Sequence, residues 1–235
     1  MGHLMRNSLV LAALSLAACH AGGVGVPVRT AATVAQATNQ QWRSLAAPAN
    51  WRGYTTDTIP NGWTFADGTI SKTRGVRDIM TRDEFGNFEL ELEWKIGKAG
   101  NSGLFYRGTT EYDHIYWSGP EYQLLDDANA EDNKTALTRA GADYGLYPAP
   151  DGHSSPFGEW NRARIVVNGN HVEHWLNDFK LVEYELNSPD WKAKVAASKF
   201  KDWPHYGLAK KGHIGIQGDH PGTLEIRNIR IRELP

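Results

Sequence analysis

The octapeptide GPEYQLLD, residues 119–126, sets an acid, an amide and a second acid along one short strand-like run. Side chains alternate across a strand, so Glu121, Gln123 and Leu125 share one face, and Tyr122, Leu124 and Asp126 the other. Carboxylates and imidazoles move protons, a guanidinium holds developing negative charge, and amides bind hydroxyls. Such groups collect in three places. Asn101-Ser102-Gly103 leads into Arg107, His114 precedes Glu121, Gln123 and Asp126, and Gln217, Asp219 and His220 follow "GHIGI". Singly, each has a plainer reading: turn chemistry for Asn-Ser-Gly, a surface ion pair for Arg107, a structural role for a lone histidine. Jointly they make a stronger case, because neighbouring strands of one concave sheet can project them into one cleft. No HExxH or comparable ligand spacing is present, so the metal state stays open and a divalent cation is an alternative to Arg107.

The elements that must position these residues read as strands. "FELELEWKI" places Phe88, Leu90, Leu92, Trp94 and Ile96 on one face and Glu89, Glu91, Glu93 and Lys95 on the other, the mark of a strand with one buried face. Asn168-Gly169 signals a tight hairpin between two such runs, and Asn177-Asp178 a second turn. "GHIGIQGD" and "TLEIRNIRIREL" close the chain as strands, the latter breaking register at Arg227-Asn228 as a bulge would. One helix is predicted, capped by Asn187 or Ser188 with Pro189 in its first turn. Residues 126–159 form a long polar, Pro- and Gly-rich loop, a type that is usually functional or mobile. Together these predict an all-β antiparallel sandwich with one short late helix.

The chain has 235 residues, a length suited to one sandwich domain. With 40% hydrophobic and 22% charged residues it can bury a core, and a net charge of −2 leaves no electrostatic footprint for nucleic acid. Nine Trp and nine Tyr suit a β-rich core and equally a sugar site, where aromatic faces pack on sugar rings. The single cysteine, Cys19, follows Arg6, an apolar run and Leu16-Ala17-Ala18. The run is too short to span a bilayer and matches a secretory signal ending in a bacterial lipobox, with Cys19 lipidated. Residues 1–19 therefore read as a lipoprotein signal peptide, 20–41 as a flexible tether and 42–235 as the domain. The expected location is the bacterial cell envelope, lipid-anchored and facing periplasm or cell surface. With one cysteine no internal disulfide can form.

The ordered set "FADGTISK", "FGNFELELEWKI", "NSGLFYRG", "GPEYQLLD", "GEWNRARIVVNGNHVEHWLND" and "GHIGIQGDHPGTLEIRNIRIREL" resembles the 3-keto-disaccharide hydrolase domain family over Trp51–Leu234. The resemblance implies a concanavalin A-like jelly roll that attacks glycosides already oxidised at carbon 3. Family motifs fall on Asn101, Arg107, Glu121, Gln123, Asp126 and Gln217, whereas "QGDH" matches less closely, with two residues between Gln217 and His220. The implied route removes the carbon 2 proton, expels the aglycone from carbon 1 and adds water back. It needs a base, a group for the oxyanion and an acid for the leaving oxygen. The expected roles are Glu121 or His220 as base, Arg107 at the oxyanion, and Asp126 orienting or binding a metal. Asn101, Gln123, His114, Gln217 and Tyr144 would bind the sugar. A carbohydrate-binding module without chemistry and a structural envelope lipoprotein are the alternatives, since a sandwich serves binders as readily as enzymes.

Overall fold

The computed structural model describes residues 41–235. The expected signal peptide with Cys19, and the expected tether but for Gln41, lie outside the described residues. The chain opens with short strands β1 (Arg43–Ser44), β2 (Trp51–Gly53), β3 (Trp63–Ala66), β4 (Thr69–Lys72) and β5 (Ile79–Thr81). Two long strands follow, β6 (Phe88–Ile96) and β7 (Asn101–Gly108), then β8 (Glu121–Leu125). After a long irregular stretch come β9 (Asn161–Asn168), β10 (His171–Leu176), β11 (Phe179–Glu185), the helix α1 (Pro189–Ala197), β12 (His213–Ile216) and β13 (Leu224–Glu233).

Alternation decides which sheet faces what. In β6, Phe88, Leu90, Leu92, Trp94 and Ile96 are buried, as the period-two pattern requires. β6 lies inside an eight-stranded sheet of order β11-β10-β9-β6-β13-β4-β3, with β1 added against β13. A second sheet of order β2-β5-β12-β7-β8 faces it. The strand pairings are antiparallel. The core between the sheets is built from Trp94, Ile165 and Ile226 on one side and Leu104, Tyr106, Tyr122 and Ile216 on the other. Burying each such side chain contributes roughly 1.5–3 kcal/mol. The result is the expected jelly-roll sandwich with one helix.

Local signals match their elements. Asn168-Gly169 joins β9 to β10, with Gly169 at φ 63°. Asn177 and Asp178 both take positive φ at the β10–β11 turn. The register of β13 against β6 shifts between Arg227 and Arg230, and Asn228 takes φ 53° at that bulge. Ser188 caps α1 by accepting from the Trp191 amide, and Pro189 starts it. No helix among the described residues is long and apolar enough to cross a membrane.

The outer face of the larger sheet carries a charged ladder. Arg230 binds Glu91 at 2.6 Å, Arg227 binds Glu93 at 2.7 Å, and Arg164 and Arg232 both reach Glu89. A depression of about 580 Å³ lies there, lined partly by Glu91, Arg164, Trp175 and Arg230. Its charges satisfy one another, so size alone does not make it the site of chemistry.

Candidate active site

The smaller sheet positions the groups singled out in the sequence. β7 and β8 pair so that Asn101 faces Leu125, Gly103 faces Gln123 and Phe105 faces Glu121. Gln217 follows β12, its amide bonded to the Gly103 carbonyl. A cleft of about 230 Å³ opens over this seam, lined by Asn101, Glu121, Tyr144, Gln217, Asp219 and His220, together with Tyr116, Asp132 and Lys199. Six residues expected at one site thus meet. Beside it, a depression of about 420 Å³ contains His114, Asp78, Asp113 and Tyr54 and shares Asp219 with the cleft. The two meet across the His114 ring, stacked on Tyr116 at 4.7 Å. Trp117 and Trp203, stacked at 4.1 Å, and Tyr112 extend this half-buried aromatic wall.

Glu121 is only 5% exposed, and the fold explains how. A Cβ on Gly103 would stand 2.2 Å from Glu121 Oε1, so the bare glycine makes the space the carboxyl occupies. The long loop then runs along the edge of β8. The Gln123 amide donates to Ala142 O, Gly141 to Gln123 O and Tyr144 to Glu121 O, all at 2.9–3.2 Å. This strand-like pairing covers the edge and seals one wall of the cleft. The carboxyl makes no hydrogen bond to any described residue.

The electrostatics follow from this enclosure. Burial pushes Glu121 up to about 8, the Lys199 charge pulls the other way, and Asp219, Asp143 and Asp78 add to the rise. Asp143, fully buried behind β8, is pushed up by burial to about 8. The Tyr184 hydroxyl and Glu121 amide approach Asp143 and favour its charged form, but neither makes a hydrogen bond of good geometry. Burial also raises Asp78 to about 6 against the Gly218 amide, which donates to it at 2.7 Å. Tyr144 is pushed up to about 12 by burial and by Asp132 and Glu121, and Lys199 Nζ sits 4.2 Å from its ring centroid. Asn101 Nδ2 donates to Asp132 at 2.7 Å, while Asn101 Oδ1 and Gln217 Oε1 are buried acceptors with no partner.

Four expected site residues are placed otherwise. Arg107 does not reach the cleft. Between Gly108↔His213 and Phe105↔Gly215, β7 carries two residues against one on β12. That bulge, with Arg107 at φ 51°, breaks the alternation that would have aimed it beside Glu121. Its Nε instead donates to Gly86 O at 3.0 Å, at the start of the facing sheet. Asp126 organises a turn, accepting from the Ala99 amide at 2.7 Å, the Ala128 amide at 3.2 Å and Asn129 Nδ2 at 2.9 Å. Gln123 is fully buried and donates to Thr138 O at 3.3 Å, pinning the long loop. His114 lines the adjoining depression rather than the cleft. His220 is in the cleft with Nε2 3.9 Å from Asp219 Oδ1, and its carbonyl accepts from Lys72 Nζ.

Sequence reasoning missed Lys199 and Asp132. Lys199 opens a 3-10 turn directly after α1, where Lys is common for helix reasons, and only the tertiary fold brings it to Glu121. Asp132 is one of several acids in the long loop, with nothing in the spacing to single it out. Among the described residues, the His and carboxylate trio with atoms close enough for one ion is His171, Glu173 and Glu183. It lies on β10 and β11, away from the cleft, and Lys180 already bridges Glu173 and Glu183.

A jelly-roll sandwich with an acid-and-amide cleft walled by aromatics defines a carbohydrate-active enzyme of hydrolase type, and the comparisons agree. Residues 41–232 match the 3-keto-alpha-glucoside-1,2-lyase-like domain, and the chain belongs to that family. A relative named 3-keto-disaccharide hydrolase from Bacteroides thetaiotaomicron is 37% identical over 216 residues, covering 78% of this chain and 74% of its own. Two crystal structures from Parabacteroides distasonis, of proteins assigned as glycosyl hydrolases, share the fold. One has a TM-score of 0.77 at 30% identity and covers 88% of this chain and 99% of its own. The other has a TM-score of 0.67 at 32% identity and covers 83% and 100%.

Proposed function

We propose that this enzyme cleaves glycosides oxidised at carbon 3, using Glu121 as the base that removes the carbon 2 proton. The observation that carries the reading is a buried, unbonded carboxyl raised to about 8, at the floor of a cleft with a lysine and unsatisfied amide oxygens. A base must be basic enough to take the proton yet present at working pH, and a carboxyl near 8 meets both needs.

The carbonyl at carbon 3 acidifies the neighbouring carbon 2 hydrogen. Glu121 takes that proton, and the carbon 2–hydrogen pair becomes the carbon 2–carbon 3 double bond of an enediolate, with charge on the carbon 3 oxygen. Lys199 holds that charge in the role first expected of Arg107. The enediolate then re-forms the carbonyl and expels the aglycone oxygen from carbon 1, and His220, positioned by Asp219, gives that oxygen a proton. Water adds across carbons 1 and 2, hydroxyl to carbon 1 and hydrogen to carbon 2, yielding the 3-keto sugar. Asn101 Oδ1 and Gln217 Oε1 accept from sugar hydroxyls, Tyr144 donates to one, and the Trp117–Trp203 wall receives the aglycone side. No oxocarbenium ion forms, so a pair of carboxylates flanking the bond is not needed. Support also comes from family membership and from the name of the 37%-identical relative.

The test is to incubate the protein lacking residues 1–19 with 3-keto-trehalose and with unoxidised trehalose. Release of glucose from the oxidised sugar alone supports the reading. Saturable binding without cleavage of either would replace it with a carbohydrate-binding module. We further propose that Cys19 anchors the protein to an envelope membrane; labelling by a palmitate analogue that Cys19→Ser abolishes would support it, and unchanged labelling would refute it.

A further inference from the structure

The bulge that turns Arg107 away from the cleft buries its guanidinium elsewhere. Arg107 is 2% exposed. Its two hydrogen bonds go to neutral acceptors, Gly86 O and, at 3.3 Å, Asn87 Oδ1. Nη1 makes no hydrogen bond to the described residues. Burial pulls the guanidinium below its ordinary value, and the groups beside it that would oppose this are the phenols Tyr106 and Tyr184, which burial keeps neutral, not carboxylates. A buried cation without a counter-charge is costly. A non-glycine residue held at φ 51° adds strain of the kind that persists where a site requires it.

Arg107 lines a cavity of about 120 Å³ with Asn170, Asn187, Gly207, Ala209 and Lys210. No acidic side chain lines it, and it shares no lining residue with the catalytic cleft. Lys210, exposed at its rim, donates to Asn170 Oδ1 at 2.7 Å. The volume is well below the ~300–1,000 Å³ of sites that enclose drug-sized ligands. Two cations and two amides around a small space suit an oxyanion, for which a guanidinium offers paired donors.

The geometry points to a second binding site, for a small oxyanion of phosphate or carboxylate type, seated between Arg107 and Lys210. The bound anion supplies the counter-charge that the fold withholds from Arg107. It does not depend on the chemistry assigned to Glu121.

Calorimetric titration with inorganic phosphate, and separately with acetate, tests this. Saturable binding of at least one ion is expected, and the stronger of the two identifies the source. Lys210→Gln should weaken it about tenfold without altering turnover, and Lys199→Gln should leave it unchanged. Arg107→Gln should abolish it; if that variant does not fold, Lys210→Gln decides alone. No saturable binding of either ion, binding indifferent to Lys210→Gln, or binding lost in Lys199→Gln would overturn the assignment.

Discussion

Glu121 concentrates the account in a single carboxyl. Its neighbours in sequence gave it a face, but its altered acidity comes from Gly103 beneath it and the loop beside it. Glu121→Gln should lower turnover by about 10³-fold, within the roughly 10²–10⁴-fold that a positioned base supplies, while circular dichroism stays native. The sign of its effect on stability also follows. A carboxyl held near 8 in the fold and near its ordinary value when unfolded keeps its proton longer in the fold, so stability falls as pH rises between about 4.5 and 8. Removing that group should therefore leave the unfolding free energy at pH 8.5 equal or higher in the Gln variant, by on the order of a few kcal/mol at most, with Tm equal or higher to match. A fall in Tm at that pH would mark Glu121 as structural. Gly103→Ala places a methyl on the carboxyl and should cost activity far more than the roughly 1 kcal/mol typical of a point substitution would suggest; equal kcat in this variant would show that the Glu121 position is not required.

Elements set the limits of what could be read in advance. Strict alternation fixed β6, and it put Tyr122 and Leu124 on the strand face opposite Glu121, where both are fully buried. Turn residues located the hairpins and the bulge at Asn228. Arg107 was misplaced because parity along β7 is broken by a bulge whose αL residue is an arginine, not a glycine or asparagine that would advertise it. Asp126 and Gln123 looked like site residues because polar groups at a strand end serve turns and loop anchors equally well. The long loop carried no periodic signal, yet it pairs with β8 and closes the cleft. Lys199 comes from the turn after α1, and its charge holds Glu121 down. The pH–rate profile should thus rise toward alkaline pH with an apparent pKa near 8. Lys199→Gln should move that limb to higher pH and lower kcat by roughly 10²–10³-fold, as expected for loss of an oxyanion partner. An unshifted limb would remove Lys199 from the site. Because the proposed mechanism gives the cationic role to a side chain, cleavage should survive a chelator, and loss of activity restored by a divalent metal would reassign that role.

Across the whole molecule, the buried titratable groups act together. Glu121 and Asp143 are raised to about 8 and Asp78 to about 6, while burial lowers His174 to about 4. The raised acids cost stability as pH climbs toward 8, and neutral His174 costs stability as pH falls below the ordinary imidazole range. Between about pH 6.5 and 8 His174 no longer contributes, and His171, raised against the opposing effect of burial by Glu185 and Glu173, acts in the same direction as the acids, so stability should fall across that window, by a slope of about two protons from the acids, and by about one fewer in Glu121→Gln. A flat profile by chemical denaturation would mean these carboxyls are already ionised in the fold. The architecture supports this cost because the sandwich core is large and the outer charged ladder is fully paired. The larger sheet turns a paired charged face to solvent, and the smaller sheet carries the cleft of the proposed chemistry.

The most direct test of the central claim is hydrogen exchange at carbon 2. The 3-keto glycoside is turned over in deuterium oxide, and the sugar product is read by NMR. Proton abstraction by Glu121 followed by hydration predicts deuterium at carbon 2 of the product, lost together with turnover in Glu121→Gln. Product that retains its original carbon 2 hydrogen would show direct displacement at carbon 1 and contradict the account.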